Sequence, residues 1–302
     1  MVAPAAEVPA TQPVSTLFGE PWPLRRVAPL ALAVVAFVVL FADPARTLAR
    51  DWWTNPDAGH GLLLFPVSIW LAWKAGLAAD RRPNVVLGTV LLVGAVLLRY
   101  LSGLAAELFT MRFSMWLAAV GIVVFAFGLR QVRLWWLPIT LMLLSIPLPA
   151  TITNSLAIPL QFRASRIGTA LIEWRDIPVR TNGNVIQIPG QTLFIAEACS
   201  GLRSLTALIS LGVMIGGIWL RTVAGRAALI VLTIPIAIVV NSFRIFLTAF
   251  LMYFVDPALG RGFMHTSEGW ALFVVAFTFI GGLASIILLV EARVARWRMT
   301  NA

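Results

Sequence analysis

Ala227–Phe254 reads AALIVLTIPIAIVVNSFRIFLTAFLMYF. A helix of this length reaches about 40 Å, more than the ~30 Å hydrocarbon core of a bilayer. The stretch is a membrane-spanning segment, and it sets the class of the whole chain. Pro235 gives it a place to kink or break, because proline removes an intrahelical hydrogen bond. Its charged residue, Arg244, lies ten residues before its end. An ionised guanidinium inside a span costs about 2.5–3.5 kcal/mol on insertion scales, so it faces a polar cavity, pairs with an acid, or snorkels to the interface. Asn241, three residues earlier, shares its helical face.

Seven further apolar runs surround this one: Val27–Ala42, Leu62–Ala79, Val85–Leu101, Phe113–Leu129, Leu134–Ile152, Leu202–Leu220 and Gly269–Val290. The chain of 302 residues is 60% hydrophobic and 12% charged, against about 25% charged in a soluble domain. The expectation is an all-α polytopic membrane protein of about eight transmembrane helices, embedded in a lipid bilayer. A net charge of +10 raises the question of nucleic acid. The basic residues are scattered in short clusters between apolar runs, a pattern of membrane orientation and not of phosphate binding.

Charge also orients the chain. With the N-terminus in the cytoplasm, the inner segments hold twelve basic residues: Arg25, Arg26, Lys74, Arg81, Arg82, Arg130, Arg133, Arg221, Arg226, Arg293, Arg296 and Arg298. They hold four acids: Glu7, Glu20, Asp80 and Glu291. The opposite segments mix basic residues with a near-equal number of acids. The positive-inside rule then places both termini in the cytoplasm. Residues 1–23 are Pro/Ala-rich without an apolar core, and read as a disordered cytoplasmic tail and not a cleavable signal peptide. Residues 24–293 form the transmembrane domain and 294–302 a basic tail.

Between the fifth and sixth runs lies an external segment, Ala150–Ser200. Leu156–Trp174 carries apolar residues at helical spacing, with Gln161, Arg163 and Arg166 between them, and predicts an interfacial amphipathic helix. Pro178–Thr181 and Asn184–Ile188 flank Asn182-Gly183, a tight-turn signal, and predict a hairpin; Thr192–Ala196 offers a third strand. This cap leads directly into Glu197-Ala198-Cys199-Ser200-Gly201-Leu202-Arg203.

Cys199 is the only cysteine, so an internal disulfide is excluded and packing or reactivity remain. At the head of a helix a thiol gains from the dipole and from free backbone N–H groups, which favour the thiolate. The two histidines also fall on the external side. His265 precedes the last run, and His60, in Gly59-His60-Gly61, stands at the mouth of the second. Imidazole can take a thiol proton and return it to a leaving group, and an arginine can hold an oxyanion. His265 also reads as a loop or interface histidine, and His60 as a helix cap. One cysteine and two histidines make no zinc cluster, and no nucleotide fingerprint occurs, so neither metal nor cofactor is expected.

Glu197–Arg203 with its Cys-Ser-Gly core, Asn241-Ser242-Phe243-Arg244-Ile245, and His265 followed by Gly269-Trp270 resemble the three signatures of the exosortase/archaeosortase family, over roughly residues 27–290. Gly59-His60-Gly61 adds to the likeness. The resemblance implies a multispanning, transpeptidase-like cysteine protease. Its substrates are membrane-anchored proteins that end in a short motif such as Pro-Glu-Pro, a transmembrane helix and a basic tail. The implied catalytic trio is Cys199, Arg244 and His265. His60, Asn241, Ser200, Gly201, Arg203 and Glu197 are the further residues expected to line the site. A histidine in the third signature resembles the bacterial branch, which implies the inner membrane, an active site on its external face and a link to exopolysaccharide production. Some bacterial members carry an extra C-terminal domain, whereas this chain stops about twelve residues after its last run; the Pro/Ala-rich tail also departs from the pattern. Two other classes fit parts of the pattern. A transporter or channel component needs an intramembrane Arg and Asn but no thiol, and an envelope acyl or glycosyl transferase needs an acidic or histidine base. One geometric difficulty accompanies the trio: in an unbroken helix Arg244 is about 15 Å below the end of its run, while Cys199 starts a run at the surface.

Overall fold

The computed structural model describes residues 11–12, 24–55, 58–182, 185–194, 201–260 and 262–301. The chain divides into two compact units, Met1–Leu148 and Pro149–Ala302.

The first unit contains β1 (Thr11–Gln12), α1 (Leu24–Thr54), α2 (Gly61–Ala75), β2 (Leu77–Ala78), α3 (Val85–Leu104), α4 (Leu108–Phe127), α5 (Leu129–Leu134) and α6 (Trp136–Leu144). Within the expected N-terminal tail, Thr11 and Gln12 pair antiparallel with Ala78 and Leu77. Helices α3 and α4 form an antiparallel pair whose starts are both capped by side chains. Asn84 accepts from the Leu87 N–H at 3.0 Å, and Glu107 accepts from Phe109 and Thr110 at 3.0 and 2.6 Å. Gly128 ends α4 with φ +82, and a Cβ there would stand 1.8 Å from the Arg82 carbonyl oxygen. Glycine alone meets both demands. Phe41, Ala95 and Ala118 form the small core where α1, α3 and α4 meet.

The expected run Leu134–Ile152 is not one helix. It breaks at Trp135 into α5 and α6, and α6 stops before Ser145. Pro147 and Pro149 follow, and each removes a donor and disfavours helix in the residue before it. Side chains beside the break serve the chain after α2. Gln131, fully buried, accepts from the Ala78 N–H at 2.9 Å and donates to the Gly76 carbonyl at 3.1 Å. The Trp135 indole donates to the same carbonyl at 2.9 Å.

The second unit holds α7 (Ala150–Trp174), β3 (Arg180–Asn182), β4 (Val185–Ile188), β5 (Gln191–Phe194), α8 (Gly201–Trp219), α9 (Val223–Phe254), a 3-10 turn (Pro257–Gly260) and α10 (Gly262–Thr300). The strands form an antiparallel sheet in the order β3-β4-β5, with Ile186 opposite Leu193. Ile186, Ile188 and Leu193 are buried on one face, as the two-residue period of a strand requires. The hairpin turn at Gly183 and Asn184 lies outside the described residues. Helix α7 starts one and a half turns earlier than its apolar spacing predicts, and packs against α9. At Gly168 a Cβ would stand 2.9 Å from the Ile245 Cβ and 3.0 Å from the Ser242 carbonyl oxygen, so the two helices approach closely there. At the other end of α9, Glu291 of α10 accepts from the Arg221 and Thr222 N–H groups at 3.0 and 3.1 Å and from the Thr222 hydroxyl. It ties the last helix to the first turn of α9.

Among the described residues, five helical stretches are long and apolar enough to cross a membrane: Ala31–Thr54, Val85–Leu104, Leu108–Phe127, Val223–Phe254 and Val274–Thr300. Gly61–Ala75 and Thr206–Trp219 are apolar but shorter. About eight transmembrane helices were expected from the runs; of these, Leu134–Ile152 is broken, and α2 is shorter than its run. Val39, Val86, Leu97, Val231 and Phe279 stand exposed on these helices. Such apolar outer faces suit a lipid environment. The chain is a largely helical, multi-pass membrane protein.

Candidate active site

Helix α9 contributes to two separate apolar cores. Its first half, with Leu229 and Ala237, packs with Leu208, Leu211 and Ile215 of α8 and with Ala276, Ile280 and Ala284 of α10. Its second half, with Ile245, Ala249 and Met252, packs with Ala164 and Ile172 of α7 and with the sheet residues Ile186, Ile188 and Leu193. The turn between the two cores is Asn241-Ser242-Phe243-Arg244. Asn241 is 8% exposed and Arg244 7%, so the guanidinium is held inside the protein and away from the lipid. Ser242 bonds back to the Ile238 carbonyl at 2.7 Å, and Thr248, one turn beyond Arg244, is buried as well.

This placement gives Arg244 a protein surrounding. The core it adjoins takes Ile245, Ala249 and Met252 from α9, the last about 12 Å farther along the helix than Arg244. The second half of α9 is therefore partly covered by apolar side chains of α7 and the sheet. An apolar run can be long because protein, and not lipid, covers part of it.

His265 lies in the first turn of α10. Gly201 opens α8 and Arg203 follows in its first turn. Glu197, Cys199 and Ser200 lie outside the described residues. Gly201, Arg203 and His265, with Arg244 and Asn241, belong to the second unit.

His60 belongs to the first unit, where its Nε2 sits 3.2 Å from the Leu144 carbonyl oxygen at the end of α6. The neighbouring Ser145 carbonyl accepts from the Trp52 indole at 2.8 Å. These two rings serve the C-terminal carbonyls of α6, which no intrahelical donor can reach. His60 makes no side-chain cap bond to its own helix, α2. The first unit also has a buried arginine that the motifs did not single out. Arg112, 3% exposed, pairs with Asp51 at 2.8 Å and joins α4 to α1. Its signal in the sequence was a charge four residues into an apolar helix. Burial pushes the nearby Glu107 carboxyl up. The hydrogen bonds from Thr110 and Phe109 and the Arg112 charge outweigh burial and hold it below the usual carboxylate range. No group of three or more potential metal ligands occurs among the described residues.

Helices with apolar outer faces around an internal, arginine-bearing polar turn define a multi-pass membrane protein with a buried polar site. The chain belongs to the transmembrane exosortase family, whose description matches residues 52–282. That match covers Arg244 and the segments around Cys199 and His265. No curated protein and no solved structure matches the chain. Membership makes it a membrane enzyme of the sorting-signal processing kind, from a family of cysteine-type peptidases and transpeptidases.

Proposed function

We propose that this protein cleaves the C-terminal sorting signal of exported, membrane-anchored proteins through a thioester on Cys199. The observation that carries the reading is the buried turn of Arg244, set between two apolar cores. It lies in the same compact unit as His265. A guanidinium stays charged and presents several N–H donors, which suits it to hold an oxyanion.

In this mechanism His265 takes the Cys199 proton. The thiolate forms a C–S bond to the substrate carbonyl carbon, and the carbonyl electron pair moves to oxygen. Arg244 stabilises that oxyanion, as preorganised donors do where charge develops. When the intermediate collapses, the C–N bond breaks and His265 delivers its proton to the departing amine. An amine or water then attacks the thioester carbonyl, and the Cys199 sulfur leaves. The charge balance puts both termini in the cytoplasm and the cap on the external face. There the cleavage motif of a substrate would emerge from its own helix.

The test is processing of a tagged reporter that ends in motif, transmembrane helix and basic tail. Cys199→Ala should abolish processing, Arg244→Ala should lower it by about 10²–10³-fold, the range for one lost oxyanion donor, and His265→Ala should also be severely impaired. Normal processing by all three variants at equal abundance refutes the proposal. Activity that survives Cys199→Ala but needs Arg244 fits a transporter instead.

A further inference from the structure

Thr169, on the α7 face that packs against α9, is 8% exposed. Its Oγ1 is buried and has no hydrogen-bond partner among the described residues. This departs from a habit of the protein. Several helix hydroxyls elsewhere bond back to a carbonyl three or four residues earlier: Ser114 to Met111 on α4, Thr153 to Pro149 on the same helix as Thr169, Thr233 to Leu229 and Ser242 to Ile238 on α9, and Thr278 to Val274 on α10. That bond is the default by which a Ser or Thr is accommodated in an apolar helix. At Thr169 the corresponding Ser165 carbonyl is not used, although the hydroxyl is shut away from solvent. A buried hydroxyl without a partner is destabilising, and native proteins keep few of them.

The location of Thr169 gives the hydroxyl a use. Its neighbour Gly168 closes on Ser242 and Ile245, the residues that flank Arg244 on α9. Thr169 therefore stands at the level of the arginine's turn. A protease acting where a substrate helix leaves the bilayer must hold that substrate unwound. Peptide N–H and C=O groups freed from the helix are costly at that depth unless the enzyme supplies partners. A hydroxyl can donate to a carbonyl or accept from an N–H.

We infer that Thr169 is a substrate-contacting residue, its hydroxyl held in reserve for a backbone peptide group of the unwound segment next to the cleavage point. The inference rests on the protease reading given above. The ligand class is a non-helical peptide backbone, so the contact is independent of the substrate's side chains.

The experiment uses the full-length enzyme in membranes, with the reporter substrate and a thermal-shift assay on the purified protein. Thr169→Val keeps the shape and removes only the hydroxyl. It should slow processing about tenfold, the factor one hydrogen bond is worth, while the melting temperature stays the same or rises. Thr169→Ser should restore processing. A wild-type rate in Thr169→Val, a drop in its melting temperature, or a failure of Thr169→Ser to restore activity overturns the inference. Cys199→Ala is run beside them. Loss of processing in Cys199→Ala with a normal Thr169→Val removes this inference alone, and normal processing in Cys199→Ala removes both it and the protease reading.

Discussion

Each of the two compact units buries an arginine in an apolar helix, and the two differ in what surrounds it. Arg112, in the first unit, meets Asp51 at 2.8 Å near the start of α4, among side chains that finish helix ends: Glu107 at the start of α4, Trp52 and His60 at the close of α6. Arg244, in the second unit, sits in mid-helix, between two apolar cores and beside Asn241 and Thr248. The first arrangement joins elements. The second forms part of a buried polar face, with Asn241 and Thr248, between two apolar cores. A buried arginine alone says little about role; the kind of groups placed around it says more.

Substitutions can break this contrast or sharpen it. The largest expected effect is on chemistry. Arg244→Ala should lose about 10²–10³-fold in processing while the protein still accumulates and melts cooperatively. Arg112→Ala should do the reverse. It leaves Asp51 without its partner, at a cost of about 1–3 kcal/mol because Asp51 is part-exposed, and the fraction that folds should process reporter at the normal rate. If Arg112→Ala abolishes processing without loss of stability, the division between a joining and a working arginine is wrong. His60→Ala removes a ring from the Leu144 carbonyl and should cost about 1 kcal/mol, seen as a lower melting temperature with per-molecule activity retained. Loss of activity at unchanged stability would instead place His60 in the site.

The smallest effect belongs to Glu107 and depends on pH. Its carboxyl is held below the usual range in the folded protein. The folded state therefore favours the ionised form, and the stabilisation is fully present above the unfolded carboxylate pKa. It is lost as pH falls through the lower folded value. Melting curves of wild type and Glu107→Gln should differ near neutral pH and converge in acid. A gap that widens in acid contradicts the assignment.

Much of this was legible in the chain itself. Apolar runs of span length require a bilayer, because water cannot solvate them and a soluble core of this size is not built so. The motifs named Cys199, Arg244 and His265 by residue type and order. The cap's elements followed from helical spacing in Leu156–Trp174 and from the turn signal at Asn182-Gly183. The run Leu134–Ile152 was misjudged, since hydropathy registers apolar area and does not register that Pro147 and Pro149 cannot donate to a hydrogen-bond ladder. In sequence His60 could line a site or cap a helix. Its approach to the end of α6, more than eighty residues away in the chain, could not be read there.

The sequence by itself determined a polytopic helical membrane protein, its family signatures and the residue types on which chemistry can rest. These depend on composition, periodicity and order, which are local properties. Tertiary structure decided that Arg244 is buried within the protein and which hydroxyl has no partner among the described residues. A run of apolar residues has the same hydropathy whether lipid or protein covers it. The core that takes Ile245, Ala249 and Met252 therefore could not be read from the run, and neither could the unused hydroxyl of Thr169. Both depend on what packs against a helix from elsewhere in the chain.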